Sequence, residues 1–210
     1  MPTQVLLVED HQMVRDGLAM LLERAGFKIV AQAADGQQAV RQAEALQPEV
    51  AVVDIALPLL NGLEAAVEIV KVSPKTKIIF LTMHYDRQYV LRGFKLGAKG
   101  FVSKSHAPEQ LVQAIRDVTR GKTYLSPEMS QVVLEAFQSN EDAEAEPLTP
   151  RERQVLQLVA EGKSMKEVAV VLNISVKTAE THRARTMEKL DIHETASLVR
   201  YAIRRGLLQP

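Results

Sequence analysis

The sequence contains no cysteine and no tryptophan. Without cysteine there are no disulfides, no thiolate metal sites and no thiol nucleophile. Aromatic residues make up only 4 % of the chain, so any core must be built from Val, Leu, Ile, Ala and Met. No apolar run approaches the roughly 20 residues that a membrane-spanning helix needs. The opening segment MPTQVLLVED lacks the basic start, apolar stretch and small-residue cleavage site of a secretory signal. These absences lead to the expectation of a cytoplasmic protein with no membrane partner. Net charge is missing too, because 26 Lys and Arg balance 26 Asp and Glu.

That balance hides a segregation. Residues 1–125 carry 15 Lys and Arg against 13 Asp and Glu; residues 126–147 carry 6 acids and no base; residues 148–210 carry 11 bases against 7 acids. An acidic connector therefore precedes a basic tail, and a small basic domain is the electrostatic footprint of a phosphate-backbone binder. The chain's 210 residues suit two small domains. The stretch Ser139–Glu146, SNEDAEAE, has no apolar periodicity and reads as a self-repelling linker. The expected organisation is residues 1–122, a connector over 123–147, and residues 148–210.

The first part alternates apolar runs with helical patterns. The runs are Val5–Val8, Phe27–Ala31, Val50–Val53, Ile78–Leu81 and Gly100–Val102. They are continuous, as in strands covered on both faces. Helical spacing fills roughly 12–25, 36–46, 62–72, 86–96 and 107–120. Strict alternation predicts a doubly wound, five-stranded parallel sheet with right-handed crossovers. Ligands of such folds sit at the carboxyl ends of the strands.

Three carboxylates fall at those ends. Glu9 and Asp10 follow the first strand and Asp54 follows the third. The two strands are neighbours in a doubly wound sheet, so the acids converge and repel unless a cation joins them. An oxygen-only donor set with open positions suits Mg²⁺. Asp54 is then the candidate nucleophile toward a phosphoryl group, forming an aspartyl phosphate. Thr82 ends the fourth strand and can donate from its hydroxyl. Lys104 lies just past the fifth, where its ammonium can pair with a phosphate or with Asp54. Asp10 has a plainer alternative, capping the first helix. His84 sits at the rim with no chemistry assigned.

These segments resemble the receiver domain of response regulators. The resemblance rests on LLVEDH at 6–11, DIALPLLNG at 54–62, LTMH at 81–84 and GAKGFVSK at 97–104. It implies a flavodoxin-like fold with Asp54 as phosphoacceptor. It implies Mg²⁺ held by Glu9, Asp10, Asp54 and the carbonyl of Ala56, and a switch formed by Thr82, Phe101 and Lys104. Leu57 stands where the family often has Met, and Phe101 lacks the hydroxyl of the tyrosine also common there.

After the linker the pattern is purely helical, with helices expected over about 150–161, 164–171, 175–190 and 194–206. Thr149 with Pro150 and Glu152 starts the first, Gly162 ends it, and Ser175 caps the third. Leu156, Val159, Ala160, Val168, Ala169, Leu172, Ile174, Ala179, Met187 and Leu190 can share one core. The second and third helices form a helix-turn-helix whose second helix is the candidate reader of the major groove. Its expected exposed face carries Lys177, Thr178, Glu180, Thr181, Arg183, Ala184 and Arg185.

This part resembles the LuxR-type DNA-binding domain, and the whole chain is similar to the NarL/FixJ response regulators. Met165 and Ala179 depart from the frequent Asn and Val. The resemblance places Thr178, Glu180, Thr181, His182, Arg183 and Ala184 at or near DNA. It assigns Lys177 and Arg185 to the phosphate backbone, and adds Lys163 and Lys166 from the preceding helix. It implies a sensor histidine kinase, double-stranded DNA and a homodimer as partners. Turnover is not expected. A phosphatase of the haloacid-dehalogenase type wants a second carboxylate two residues after its nucleophile, and Ala56 stands there. No G-x-x-x-x-G-K-[ST] loop is present.

Overall fold

The computed structural model describes residues 1–83, 87–127, 129–131, 133, 147–205 and 207, with the side chains of 87–89 and 204 outside that description. The acidic stretch at 139–146 and His84 lie outside the described residues. The chain divides into two compact units, the first built on residues 1–57 and 61–143 and the second on residues 58–60 and 144–210. No helix among the described residues is long and apolar enough to cross a membrane.

The first unit alternates strand and helix. Its elements are β1 (Gln4–Val8), α1 (Gln12–Arg24), β2 (Lys28–Ala33), α2 (Gly36–Leu46), β3 (Val50–Asp54), α3 (Gly62–Val72), β4 (Lys77–Thr82), α4 (Arg87–Lys95) and β5 (Gly100–Ser103). A 3₁₀ turn (Lys104–His106), α5 (Ala107–Thr119) and β6 (Tyr124–Leu125) complete it. The sheet runs β2-β1-β3-β4-β5-β6 with every neighbouring pair parallel. The doubly wound arrangement is thus as expected, with six strands instead of five. The extra strand, β6, is two half-buried residues long and carries no apolar run that a sequence pattern can detect.

Both sheet faces are covered, which explains the continuous runs. Leu6, Val8, Val53, Phe80 and Phe101 point to one core, shared with Ala39 of α2, Ile69 of α3 and Val90 of α4. Val5, Leu7, Val52, Ile79 and Leu81 point to the other, against Leu22 of α1 and Leu111 and Ile115 of α5. Successive residues of one strand therefore serve opposite cores. Helix α1 is preceded by His11, which makes no side-chain cap bond, so Asp10 does not take the capping role.

The second unit comprises α6 (Pro150–Ala160), α7 (Met165–Leu172), α8 (Val176–Lys189) and α9 (Thr195–Arg204). Thr149 and Glu152 form a reciprocal capping box at α6, and Ser164 and Glu167 form another at α7. Gly162 follows α6 with φ +84° and Asn173 follows α7 with φ 52°. Both left-handed residues stop their helices sharply. The Ser175 hydroxyl accepts from Thr178 N at 3.0 Å and fixes the start of α8. Leu156, Val168, Ala169 and Ala179 are buried in a single core that Leu172, Ile174, Met187 and Leu190 flank.

Candidate functional sites

The pocket lies at the carboxyl ends of β1, β3, β4 and β5. β1 and β3 are adjacent, with Val8 opposite Val53. This brings Glu9 and Asp54, one residue further on, to the same edge. Both carboxylates are buried, Glu9 at 0 % and Asp54 at 1 % exposure. Lys104, the first residue after β5, reaches between them. Its Nζ stands 2.7 Å from Asp54 Oδ2 and 2.8 Å from Glu9 Oε2. One ammonium therefore joins two buried acids from different strands. Thr82 is buried at the end of β4, beside these groups in the sheet order.

The electrostatics follow from burial. Desolvation pushes the Asp54 carboxyl up to about 6; the Lys104 cation opposes this and Glu9 adds to it. For Lys104, burial pulls the ammonium down, yet Asp54 and Glu9 together hold it above its ordinary value. The backbone N–H of Ala56 donates to Asp54 Oδ1 at 3.3 Å. The chain then turns back on itself, with Gly62 N donating to Ile55 O at 2.8 Å. A Cβ at Gly62 would lie 1.9 Å from the Asp54 carbonyl oxygen, so only glycine can begin α3 this close to the Asp54 backbone.

Asp10 is half-buried. Its ligand atoms and those of Glu9 and His11 all fall within 4.8 Å of one another. His11 Nδ1 is 2.8 Å from Asp10 Oδ1 and 3.3 Å from Glu9 Oε1. Asp10 is the main cause that raises the His11 imidazole above its ordinary range. Arg15, one turn into α1, donates to Glu9 O at 2.6 Å and Asp10 O at 3.3 Å. Neither His11 nor Arg15 was expected. His11 was signalled only by adjacency to the acid pair, and Arg15 only by lying five residues beyond Asp10 on a helix. Phe101 is fully buried. Its ring centroid lies 5.4 Å from that of Phe80 and 4.8 Å from that of Phe94.

In the second unit, Lys177, Thr178, Glu180, Thr181, Ala184 and Arg185 of α8 are exposed, as is Lys166 of α7; Lys163 is half-buried. Arg183 departs from the expected exposed face. It is half-buried, and its Nη2 donates to Thr195 Oγ1 at the start of α9 at 3.0 Å. His182 is half-buried as well, while the Thr181 hydroxyl bonds back to Lys177 O at 2.8 Å. The face left to solvent is a run of polar and basic residues beginning at a well-capped helix N-terminus.

Residues 5–116 match the response regulator receiver domain, and residues 146–202 match the bacterial regulatory proteins of the luxR family. The chain belongs to the two-component response regulators that join a receiver to a LuxR-type DNA-binding domain. It is 36 % identical to the oxygen regulatory protein NreC of Staphylococcus carnosus over 98 % of this chain and 99 % of that protein. The NreC of Staphylococcus aureus is 35 % identical over the same shares. Among solved structures, a LuxR-family response regulator from Aurantimonas is 36 % identical with a TM-score of 0.63, covering 66 % of this chain and 99 % of that one. RcsB of Salmonella enterica serovar Typhimurium, bound to promoter rprA with the phosphomimetic BeF3⁻, gives a TM-score of 0.66 at 25 % identity. That match covers 96 % of this chain and 98 % of the RcsB chain.

Proposed function

We propose that Asp54 accepts a phosphoryl group from a partner histidine kinase and that this modification controls binding of the second unit to specific double-stranded DNA. The observation that carries the reading is the buried Glu9–Lys104–Asp54 arrangement. A carboxylate nucleophile is held there beside a cation that can follow the negative charge it acquires. In the transfer, one Asp54 oxygen attacks phosphorus. The bond from phosphorus to the kinase imidazole nitrogen breaks, and the imidazole leaves with that electron pair. With the carboxyl raised to about 6, Asp54 is still mostly ionised near neutrality and competent to attack. Lys104 pairs with the new phosphoryl oxygens, and Thr82 donates its hydroxyl to one of them.

The donor set suits a hard divalent cation. Glu9, Asp10, Asp54 and the Ala56 carbonyl offer oxygen only, and Glu9 and Asp54 are acids whose burial calls for positive charge. We assign Mg²⁺ to these four groups. When bound, it neutralises charge on the phosphoryl group during transfer. Phe101 reports the change of state from β5.

For DNA, α8 is the reading helix. Thr178, Glu180, Thr181, His182, Arg183 and Ala184 are assigned to its groove-facing region, and Lys163, Lys166, Lys177 and Arg185 to phosphates. RcsB is described as two dimers on two DNAs, and a homodimer on paired half-sites is the parallel assignment here. Such a regulator works in the cytoplasm, with residues 1–122 receiving the phosphoryl group, 123–147 connecting and 148–210 binding DNA. Incubation with Mg²⁺ and a small acyl phosphate tests the reading. One phosphoryl group per chain is expected on Asp54, with tighter DNA binding. Labelling in Asp54→Ala equal to wild type, with the same gain in DNA binding, removes Asp54 from the account.

A further inference from the structure

The turn from β1 into α1 carries two acids of the pocket, and its three carbonyls share one donor residue. Arg15 Nη1 donates to Glu9 O at 2.6 Å and to Asp10 O at 3.3 Å, and the Arg15 backbone N–H donates to His11 O at 2.9 Å. Three successive carbonyl oxygens, those of residues 9, 10 and 11, therefore converge on Arg15. The reach follows from helix geometry. Arg15 is the fourth residue of α1, and helical side chains lean toward the helix N-terminus. A long side chain at that place folds back over the segment that precedes the helix.

The placement does nothing for α1 itself, because a cation in the first turn opposes the helix dipole. The first turn holds no acidic residue to offset it. What the arginine gains lies in the turn. The Glu9 N–H donates to Ala33 O at 3.0 Å, and Glu9 Oε1 accepts from the His11 N–H at 3.2 Å. With its carbonyl on Arg15 and its Oε2 2.8 Å from Lys104 Nζ, Glu9 has a partner at each polar atom. Asp10 is held at its carbonyl by Arg15 and at Oδ1 by His11 Nδ1, 2.8 Å away. Arg15 thus grips main-chain oxygens of both residues. A guanidinium placed on the carboxylates instead would compete with a cation for the same lone pairs.

We propose that Arg15 is a positioning residue: by holding the carbonyls of Glu9 and Asp10 it sets this acid pair in the orientation a divalent cation requires. The proposal rests on the assignment of Mg²⁺ to Glu9, Asp10, Asp54 and the Ala56 carbonyl. Charge and position make opposite forecasts for the loss of Arg15. As a positive charge beside a cation site it repels the ion, so removing it tightens binding. As a clamp it keeps the ligands in place, so removing it weakens binding, and a residue that orients metal ligands is worth about 10-fold in affinity.

Two readouts on the full-length chain test this. Mn²⁺ alone is titrated in, and the electron paramagnetic resonance of the free ion reports the site. Solvent exchange of the His11 amide, followed by NMR, reports the turn, with the amides of β1 and β3 as controls. Arg15→Leu is expected to bind Mn²⁺ about 10-fold more weakly. Its His11 amide should exchange faster while the strand amides keep their protection. Arg15→Lys, which keeps the charge and a donor on a shorter reach, should fall between Arg15→Leu and wild type. It decides the matter should Arg15→Leu fail to fold by circular dichroism. Asp10→Asn keeps the proposal and the cation assignment apart. With Mn²⁺ binding weakened in Asp10→Asn, as expected, tighter or unchanged binding in the Arg15 variants overturns the proposal. So does weaker binding with an unaltered His11 amide, or exchange that quickens equally in the strands. If Asp10→Asn binds Mn²⁺ as wild type does, the cation assignment falls, and the His11 amide alone then decides whether Arg15 orders the acid pair.

Discussion

Lys104 and Lys177 are the same residue type in opposite circumstances. Lys104 is 10 % exposed in its side chain and held by two buried carboxylates at 2.7 and 2.8 Å. Lys177 stands exposed on the solvent side of α8. The first belongs to a site whose charges are arranged before any ligand arrives, at a cost in desolvation. The second belongs to a surface whose charges stay hydrated. Substitutions should therefore damage the two regions differently. In the receiver pocket they reach folding and chemistry together, while on α8 they reach affinity and leave folding alone.

The largest expected effect is that of Gly62→Ala. A methyl group 1.9 Å from the Asp54 carbonyl oxygen forces the β3–α3 turn apart. Urea unfolding should show the first unit destabilised by about 3 kcal/mol or more, with phosphodonor labelling of Asp54 lost. Lys104→Ala comes next. Removing one member of a buried charge cluster leaves Asp54 and Glu9 facing each other, and destabilisation of about 3 kcal/mol is expected. The Asp54 carboxyl, already at about 6, should climb further when followed by NMR titration. A variant as stable as wild type with an unchanged titration would show that the cluster is not coupled.

On α8 the expected changes are smaller and of another kind. Arg185→Ala should lower DNA affinity and reduce the slope of log K against log salt by about one unit. Its free energy of unfolding should stay within about 0.5 kcal/mol of wild type. A stability loss comparable to that of Lys104→Ala would erase the contrast. The mildest effect concerns Glu152. Desolvation pushes this carboxyl up, but hydrogen bonds from Lys189 (2.7 Å) and Thr149 outweigh it and hold the group below its ordinary value. A depressed acid stabilises the fold above its unfolded value, and that contribution fades as pH falls through its folded value. Thermal unfolding should therefore lose stability toward acid, and Glu152→Gln, which still accepts from the Thr149 N–H, should flatten that part of the profile.

Much of the first unit was legible in the amino-acid pattern because strands buried on both faces write continuous apolar runs. Val50–Val53 and Ile78–Leu81 could be placed to within a residue or two, and Glu9, Asp54, Thr82 and Lys104 followed from where those runs stop. β6 was not legible, since two half-buried residues pairing with β5 leave no periodic trace. Nor were His11 and Arg15, whose roles arise from how the turn after Asp10 folds back on itself. On α8 the spacing identified the buried Ala179 and the exposed Lys177. It did not show that Arg183 leans onto Thr195, because a long side chain chooses between neighbours that periodicity does not describe.

The shared ammonium has a further consequence. A dianionic group on Asp54 attracts Lys104 more strongly than a carboxylate does, and the lysine cannot strengthen one partnership without weakening the other. Covalent change on β3 would thereby be felt on β1 as the loosening of Glu9's counter-ion, at the end of the neighbouring strand. On the proposed phosphorylation of Asp54, the first event in this pocket would be a redistribution of one positive charge.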